Sequence, residues 1–368
     1  MEELTVTHLV AGAGFIAGLV FGAIANATNF CTMGSLSDIV FMGDYRRFRA
    51  WLLAMAVAIL GTQGLSAAGL LDLSQAIYLT PNLGWLGAIL GGLMFGFGMT
   101  LAGGCANKNL VRVGGGNLKS VVVLLVMGVF AYMTLRGLIG LARVEMETWA
   151  NVSLADTAEL ESQGLGEMLG RLTGLETEQA TLVLAAVVGL ALLAFCFKDR
   201  DFRASGHNIL GGLGVGAVVV GGWWITGVLG FDDFEPAPVE SFTFVAPVGN
   251  SLQYLMTFSG ASINFGIAAV GGVVVGSFLT ALVTRSFHVE AFGNTEDMLR
   301  HMGGAAIMGV GGVLALGCTV GQGITGLSTL AAGSVIALLA ILLGGLLGLK
   351  FLETGSLGGA VAALLERD

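Results

Sequence analysis

The chain has 368 residues, of which 55% are apolar before 60 glycines are counted and only 11% are charged. An ordinary soluble domain is excluded, because roughly a quarter of such a chain is Asp, Glu, Lys and Arg. The net charge of -9 leaves no basic face with which to neutralise phosphates, so a nucleic-acid partner is excluded as well.

In chain order, Glu2 and Glu3 open a sequence with no basic leader and no small-residue cleavage site after its first apolar run, so the N-terminus reads as mature protein. Membrane spans are expected at 10–29, 51–71, 84–104, 120–140, 180–197, 208–229 and 265–284. A further apolar run covers Gly333–Leu349, and the sequential order beyond residue 300 stays open. Each run is long or nearly long enough for about 30 Å of hydrocarbon. Basic residues gather at Arg46, Arg47 and Arg49, at Lys108, Arg112 and Lys119, at Lys198, Arg200 and Arg203, and at Arg285 and Arg300. Those loops are assigned to the cytoplasm, with His8 outside. The acidic connection Arg143–Glu178 and the Asp232–Glu240 loop fall on the opposite side. Leucines at 154, 160, 165, 169, 172 and 175 predict short amphipathic helices at the outer surface within the 141–178 insert, which either covers the site or is a tolerated loop.

The segment Gly91–Cys105 aligns with Gly304–Cys318 at one offset, pairing Gly91 with Gly304, Gly96 with Gly309, Gly98 with Gly311, Gly104 with Gly317 and Cys105 with Cys318. Each copy turns polar directly after its cysteine, as Ala106-Asn107-Lys108-Asn109 and as Thr319-Val320-Gly321-Gln322-Gly323. A helix that stops inside the protein and a short one that returns fit this pattern better than a full span with a loop. Irregular backbone at membrane depth is tolerated only where it is buried in protein or lines a cavity, and paired interruptions point to a transporter's substrate site. A fainter pair joins Asn26–Gly34, containing Asn29 and Cys31, to Phe258–Gly266, containing Asn264. The predicted fold is all-α: a polytopic membrane protein with two inverted repeats containing spanning helices and shorter re-entrant half-helices. Residues 1–140 form the first membrane repeat, 141–178 an outer-side insert and 179–368 the second membrane repeat.

Cys31, Cys105 and Cys318 each sit in an interruption, whereas Cys196 ends an otherwise regular span and reads as a small buried hydrophobe. A thiol is a weak donor and polarizable, so a series of thiols along a narrow path suits a sulfur-bearing solute better than a hard oxyanion. Thiol–disulfide catalysis is the competing chemistry, and it lacks a CxxC pair. Asn107, Lys108 and Asn109 either bind an anion or set the return turn, the alternative being a cytoplasmic loop with a charge anchor; Asn109 and Gln322 correspond in the repeat alignment, and Gln322 caps or lines the second half-helix. Asn29 and Asn264 satisfy open backbone groups or touch substrate. The four scattered histidines give no metal pattern, and no nucleotide loop, dinucleotide fingerprint or catalytic serine motif is present, so neither metal, cofactor nor enzymatic activity is expected.

The chain resembles the YeeE/YedE family of sulfur-transport membrane proteins through Asn29-Phe30-Cys31-Thr32-Met33-Gly34, Gly103-Gly104-Cys105-Ala106-Asn107-Lys108-Asn109-Leu110-Val111-Arg112 and Gly317-Cys318-Thr319-Val320-Gly321-Gln322-Gly323. The resemblance covers about residues 10–135 and 180–350. It implies thiosulfate uptake across a bacterial inner membrane, with Cys105 as the indispensable central thiol and Cys31 and Cys318 as flanking stations. It also implies a small cytosolic sulfur-carrier protein as a partner, beside the membrane lipid itself. The 141–178 segment makes this chain longer than compact members, which leaves substrate identity open between thiosulfate and another reduced sulfur or selenium species. A non-transporting sensing or assembly subunit is the alternative of a different class.

Overall fold

The computed structural model describes residues 6–232 and 236–365; Glu2, Glu3 and part of the acidic 232–240 loop lie outside the described residues. The fold is helical almost throughout. The first helices are α1 (Val6–Ala27), α2 (Thr32–Met42), α3 (Arg46–Ala67), α4 (Trp85–Leu101), α5 (Ala106–Gly114) and α6 (Leu118–Arg136). The insert supplies α7 (Leu138–Ala150), α8 (Leu154–Ala158) and α9 (Leu165–Thr173), and the bundle resumes with α10 (Thr177–Lys198), α11 (Arg200–Ala204) and α12 (Gly206–Trp224). The last elements are α13 (Val245–Met256), α14 (Phe265–Val283), α15 (Thr295–Leu314), a π-helical stretch Gly321–Gly326, α16 (Ala332–Thr354) and α17 (Leu357–Leu365). Among the described residues, eight helical stretches are long and apolar enough to cross a membrane. The chain is an all-α polytopic membrane protein.

Glycines account for how closely these helices approach. A Cβ on Gly276 of α14 would lie 2.0 Å from the Leu19 carbonyl oxygen of α1, and one on Gly96 of α4 would lie 2.1 Å from that of Ile341 on α16. No larger residue fits at either crossing, so van der Waals contact between backbones replaces side-chain interdigitation. On α4 and α15 the contacts are reciprocal: Gly91 abuts the Gly311 carbonyl and Gly98 that of Gly304, at 2.6 and 2.7 Å from a virtual Cβ.

One boundary departs from the sequence expectation. The span placed at 51–71 runs over Arg46–Ala67, because Arg46, Arg47 and Arg49 belong to its first turns and Gly69 adopts a left-handed φ of 68° just past its end. Charged groups at the end of a span keep their heads in the interface while their stems stay with the helix.

The insert is fastened to the bundle rather than loose on its surface. Asn82–Leu83 pairs antiparallel with Val152–Ser153. Leu165 donates its amide to the Leu330 carbonyl at 2.9 Å, and Gln163 receives the amides of Ala332 on its carbonyl at 2.9 Å and of Gly333 on its side chain at 3.1 Å. The insert thus holds the segment that returns from the π-helical stretch into α16.

Candidate functional site

The three interruptions share one backbone design. Two residues before each cysteine the chain turns left-handed, at Asn29 (φ 52°), Gly103 (φ 71°) and Leu316 (φ 55°). The next amide closes the preceding helix on the carbonyl six positions back from its cysteine: Phe30 on Ala25 at 3.2 Å, Gly104 on Met99 at 2.8 Å and Gly317 on Gly312 at 2.8 Å. This is the bond pattern of a helix ended by a left-handed residue. The cysteine then starts the following helical turn, its carbonyl accepting from the fourth amide onwards, Ser35 at 3.1 Å, Asn109 at 3.0 Å and Gln322 at 2.7 Å. Cys31 and Cys105 are the N-caps of α2 and α5, and Cys318 precedes the turn that runs into the π-helical stretch. Each thiol is therefore at the N-terminal end of a short helical segment, where unpaired amides favour negative charge.

All three thiols are free and buried. The Cys31 sulfur accepts the Gly34 amide at 3.4 Å, as an N-cap oxygen would, and the Cys318 sulfur accepts the Gly321 amide at 3.3 Å. Cys105 donates instead, to Asn107 Oδ1 at 2.5 Å. The Cys31 and Cys105 side chains lie next to each other, and Thr319, next after Cys318, faces Cys105. The three motifs meet in the interior although they are far apart in sequence.

The supporting residues divide by role. Asn107 is fully buried and orients the central thiol. Asn109 turns back to donate to the carbonyls of Gly104 at 2.8 Å and Cys105 at 3.1 Å, and its aligned partner Gln322 likewise donates to Ala315 at 2.5 Å. Lys108 Nζ donates to the Asn29 side chain, joining the first two interruptions. Asn264 stands apart from the cysteines: it caps α14 by accepting the Ile267 amide at 2.9 Å, and it lines a cavity at the acidic end of the bundle. The fainter sequence pair is therefore unequal, since Phe258–Gly260 is an exposed turn with no thiol.

Arg47, Arg112 and Thr319 have roles here that the sequence does not show. Arg47 spans the start of α2, donating to the Asn29 carbonyl and to Asp38, both at 3.0 Å, and Arg112 donates to the Gly103 carbonyl at 2.6 Å. In the sequence both look like topology markers, because a basic residue beside a span looks the same whether it faces lipid headgroups or folds back onto a turn. Thr319 Oγ and Gln322 Oε1 are buried with no hydrogen-bond partner among the described residues. Unpaired buried polar atoms are costly and uncommon; Gln322 lines a small recess with Tyr78, Gln163 and Ser334, whereas Thr319 Oγ faces the Cys105 thiol, an open polar atom beside the central motif. Only the position of Thr319 after a motif cysteine could have signalled it.

On the acidic-end side, Thr243 interacts with the Cys318 thiol and lines a cavity of about 170 Å3 together with Glu240, Asn250, Asn264 and Gly317. On the basic side, Lys108 and Arg112 line a second cavity of about 220 Å3 with His288 and Glu290. The thiols lie between two recesses at opposite ends of the bundle.

A sequence profile for sulphur transport matches residues 27–347, which takes in all three cysteine motifs. The chain belongs to the sulphur transport family. Among relatives of this sulphur transport protein, the thiosulfate transporter TsuA of Escherichia coli (strain K12) is 28% identical over 327 residues, covering 85% of the chain and 86% of the relative. The thiosulfate transporter TsuA of Spirochaeta thermophila is 26% identical over 317 residues, covering 86% and 91%. The probable transporter YedE of Escherichia coli is 31% identical over a shorter stretch of 103 residues, covering 27% of the chain and 23% of the relative. The sulphur transport protein is thus a multi-pass membrane transporter by family.

Proposed function

We propose that this protein carries thiosulfate inward across a bacterial inner membrane along a path through Cys318, Cys105 and Cys31. The observation that bears the proposal is the meeting of three interruptions, each with a buried thiol at the start of a short helical segment, with Cys31 against Cys105 and the Thr319 oxygen beside Cys105. The terminal sulfur of thiosulfate is soft and accepts S–H contacts, while its oxygens suit amides and hydroxyls at helix starts. Relatives named as thiosulfate transporters support the same substrate.

On this reading the acidic end faces outward and the basic end faces the cytoplasm. Solute enters from the cavity beside Thr243, exchanges water for the Cys318 thiol and the Thr319 hydroxyl, passes to Cys105 and Cys31, and leaves past Lys108 and Arg112. No sulfur–sulfur bond forms or breaks. Residues 1–140 and 179–368 are inverted repeats, a relation supported by the reciprocal Gly91–Gly311 and Gly98–Gly304 crossing, in which repeat-aligned glycines exchange partners. The 141–178 insert braces the outer return segment. A small sulfur-carrier protein would consume the product at the basic face. Inward movement of a dianion opposes an inside-negative potential by roughly 2.3 kcal/mol per charge per 100 mV, so such consumption or a coupled cation has to drive net uptake.

Uptake of radiolabelled thiosulfate into proteoliposomes, with sulfate, sulfite and selenite as competitors, tests the proposal. Saturable uptake that survives sulfate and is lost in Cys105→Ser supports it; folded protein without thiosulfate flux, or flux indifferent to all three cysteines, would sink it.

A further inference from the structure

The segment leading to the Cys318 side of the path is an extended chain held deep in the bundle by side chains. Thr226 Oγ donates to the Glu240 carbonyl at 2.6 Å and receives the Glu240 amide at 3.2 Å. Ser241 donates to the Val219 carbonyl and Thr325 to that of Phe242, both at 2.7 Å. This anchoring fixes Glu240 in the wall of the cavity of about 170 Å3 that reaches Thr243 and Gly317, and Glu240 is the only charged residue lining that cavity among the described residues. An ionised carboxylate in that wall would repel an anion entering the cavity.

We infer that Glu240 admits the anion only when its carboxyl is protonated, and that the acid O–H then donates a hydrogen bond to the solute on its way to Cys318. This rests on the thiosulfate-uptake reading above and adds a gatekeeping residue outside the cysteine motifs.

The surroundings of Glu240 suit this role. Burial pushes its carboxyl up to about 7, since the charged form loses hydration. From the turn at Ile77–Leu79, Tyr78 lies within electrostatic reach of both Glu240 and Cys318, and burial pushes its phenol up, so it stays neutral. The π-helical stretch Ile225–Leu229 offers Thr226, α13 offers Asn250 and α14 offers Asn264, none of them charged; α15 contributes Gly312 and Val313. At the α6 edge, Leu135 lines the cavity, Arg136 is exposed at the helix end, and Arg143 of α7 is engaged by Glu147 at 2.8 Å and by the Thr134 carbonyl at 3.1 Å. Among the described residues no cation pairs with Glu240, so protonation is the available way to remove its charge.

The test varies outer pH between about 6 and 8 across the Glu240 range, with the vesicle interior buffered at one pH, and reads KM and the maximal rate of thiosulfate uptake separately. Above the midpoint, KM for wild type rises about tenfold per pH unit, because only the protonated fraction accepts anion, while the maximal rate holds. Glu240→Gln, a permanent mimic of the acid, is expected to take up thiosulfate with a low KM that no longer changes with outer pH, and Glu240→Asp to keep a pH dependence with a moved midpoint. Labelling of wild-type protein by a hydrophobic carbodiimide, which reacts with protonated carboxyls, reads the same residue without any variant. Mass spectrometry should find Glu240 modified, less so above about pH 7 and less so with thiosulfate present. A wild-type KM flat over this range, or Glu240 labelling indifferent to pH and thiosulfate, overturns the gatekeeping role and leaves the transport reading standing. Absence of thiosulfate flux at every outer pH removes both.

Discussion

The buried hydroxyl of Thr319 faces the thiol of Cys105, which brings the interruption after α15 against the one after α4 at the middle of the bundle. The hydroxyl has no hydrogen-bond partner among the described residues. On the proposed path this oxygen is open to a passing solute.

Thr319→Val keeps the shape and removes the hydroxyl. Because the native oxygen faces only the weakly hydrogen-bonding Cys105 thiol, its loss should leave thermal stability nearly unchanged, whereas a hydroxyl paired to a backbone group within the protein would contribute about 1 kcal/mol. Uptake should fall several-fold through a higher KM. Lower stability with unchanged uptake would instead make Thr319 a packing residue.

Cys105→Ser and Cys105→Ala separate softness from shape. Serine retains a donor to Asn107 but replaces a polarizable sulfur with a smaller, harder oxygen. Both variants should lower thiosulfate uptake by at least about tenfold, the effect of roughly 1.4 kcal/mol, and both should fold. Cys196→Ala is the control: its thiol donates to the Arg49 carbonyl at 3.2 Å, away from the three motifs, and its uptake should match wild type. A Cys105→Ser protein as active as wild type would show that the sulfur is not used.

Asn109→Leu addresses the frame rather than the path. The amide of Asn109 occupies the Gly104 carbonyl, which the interrupted helix leaves open, and adds a second bond to the Cys105 carbonyl, which already accepts the Asn109 backbone amide. Leucine of similar size would leave the Gly104 carbonyl unpaired in the interior, at a cost of about 2 kcal/mol. Thermal unfolding in detergent measures this, and a melting point within error of wild type would contradict the assignment.

Much of this arrangement is legible in the sequence, for reasons that can be named. Apolar runs between basic clusters locate the helices, since water and lipid impose opposite compositions on neighbouring segments. The three site cysteines stand out because each follows a residue pattern that stops a helix. What does not show in sequence is direction. Nothing about Arg47 or Arg112 as letters says that they turn inward onto the carbonyls of Asn29 and Gly103, and nothing about Glu240, in an acidic loop with Pro236 and Pro238, says that its end of the loop dives to Thr226. The reverse error arises at Asn264, whose resemblance to Asn29 is one of letters: one caps a long helix near the acidic end, the other adopts the left-handed turn before a thiol.

The left-handed position two residues before each cysteine gives a last prediction. Asn and Gly enter this region readily and occupy it at Asn29 and Gly103, but Leu316 does so at φ 55° against the clash of its Cβ with the following carbonyl, costing roughly 1–2 kcal/mol. Its side chain is 49% exposed, so little packing is lost on replacement. Leu316→Asn should therefore raise stability by about 1 kcal/mol without the extra unfolded-state freedom that glycine would add. The converse change, Gly103→Ala, places a Cβ 3.1 Å from His301 Nε2 in the same backbone region and should destabilise by at least as much. Thermal melts of the two variants read opposite signs if the interruptions share one backbone design. A loss of stability in Leu316→Asn would mean that the contacts of that leucine at the cavity rim outweigh its strain.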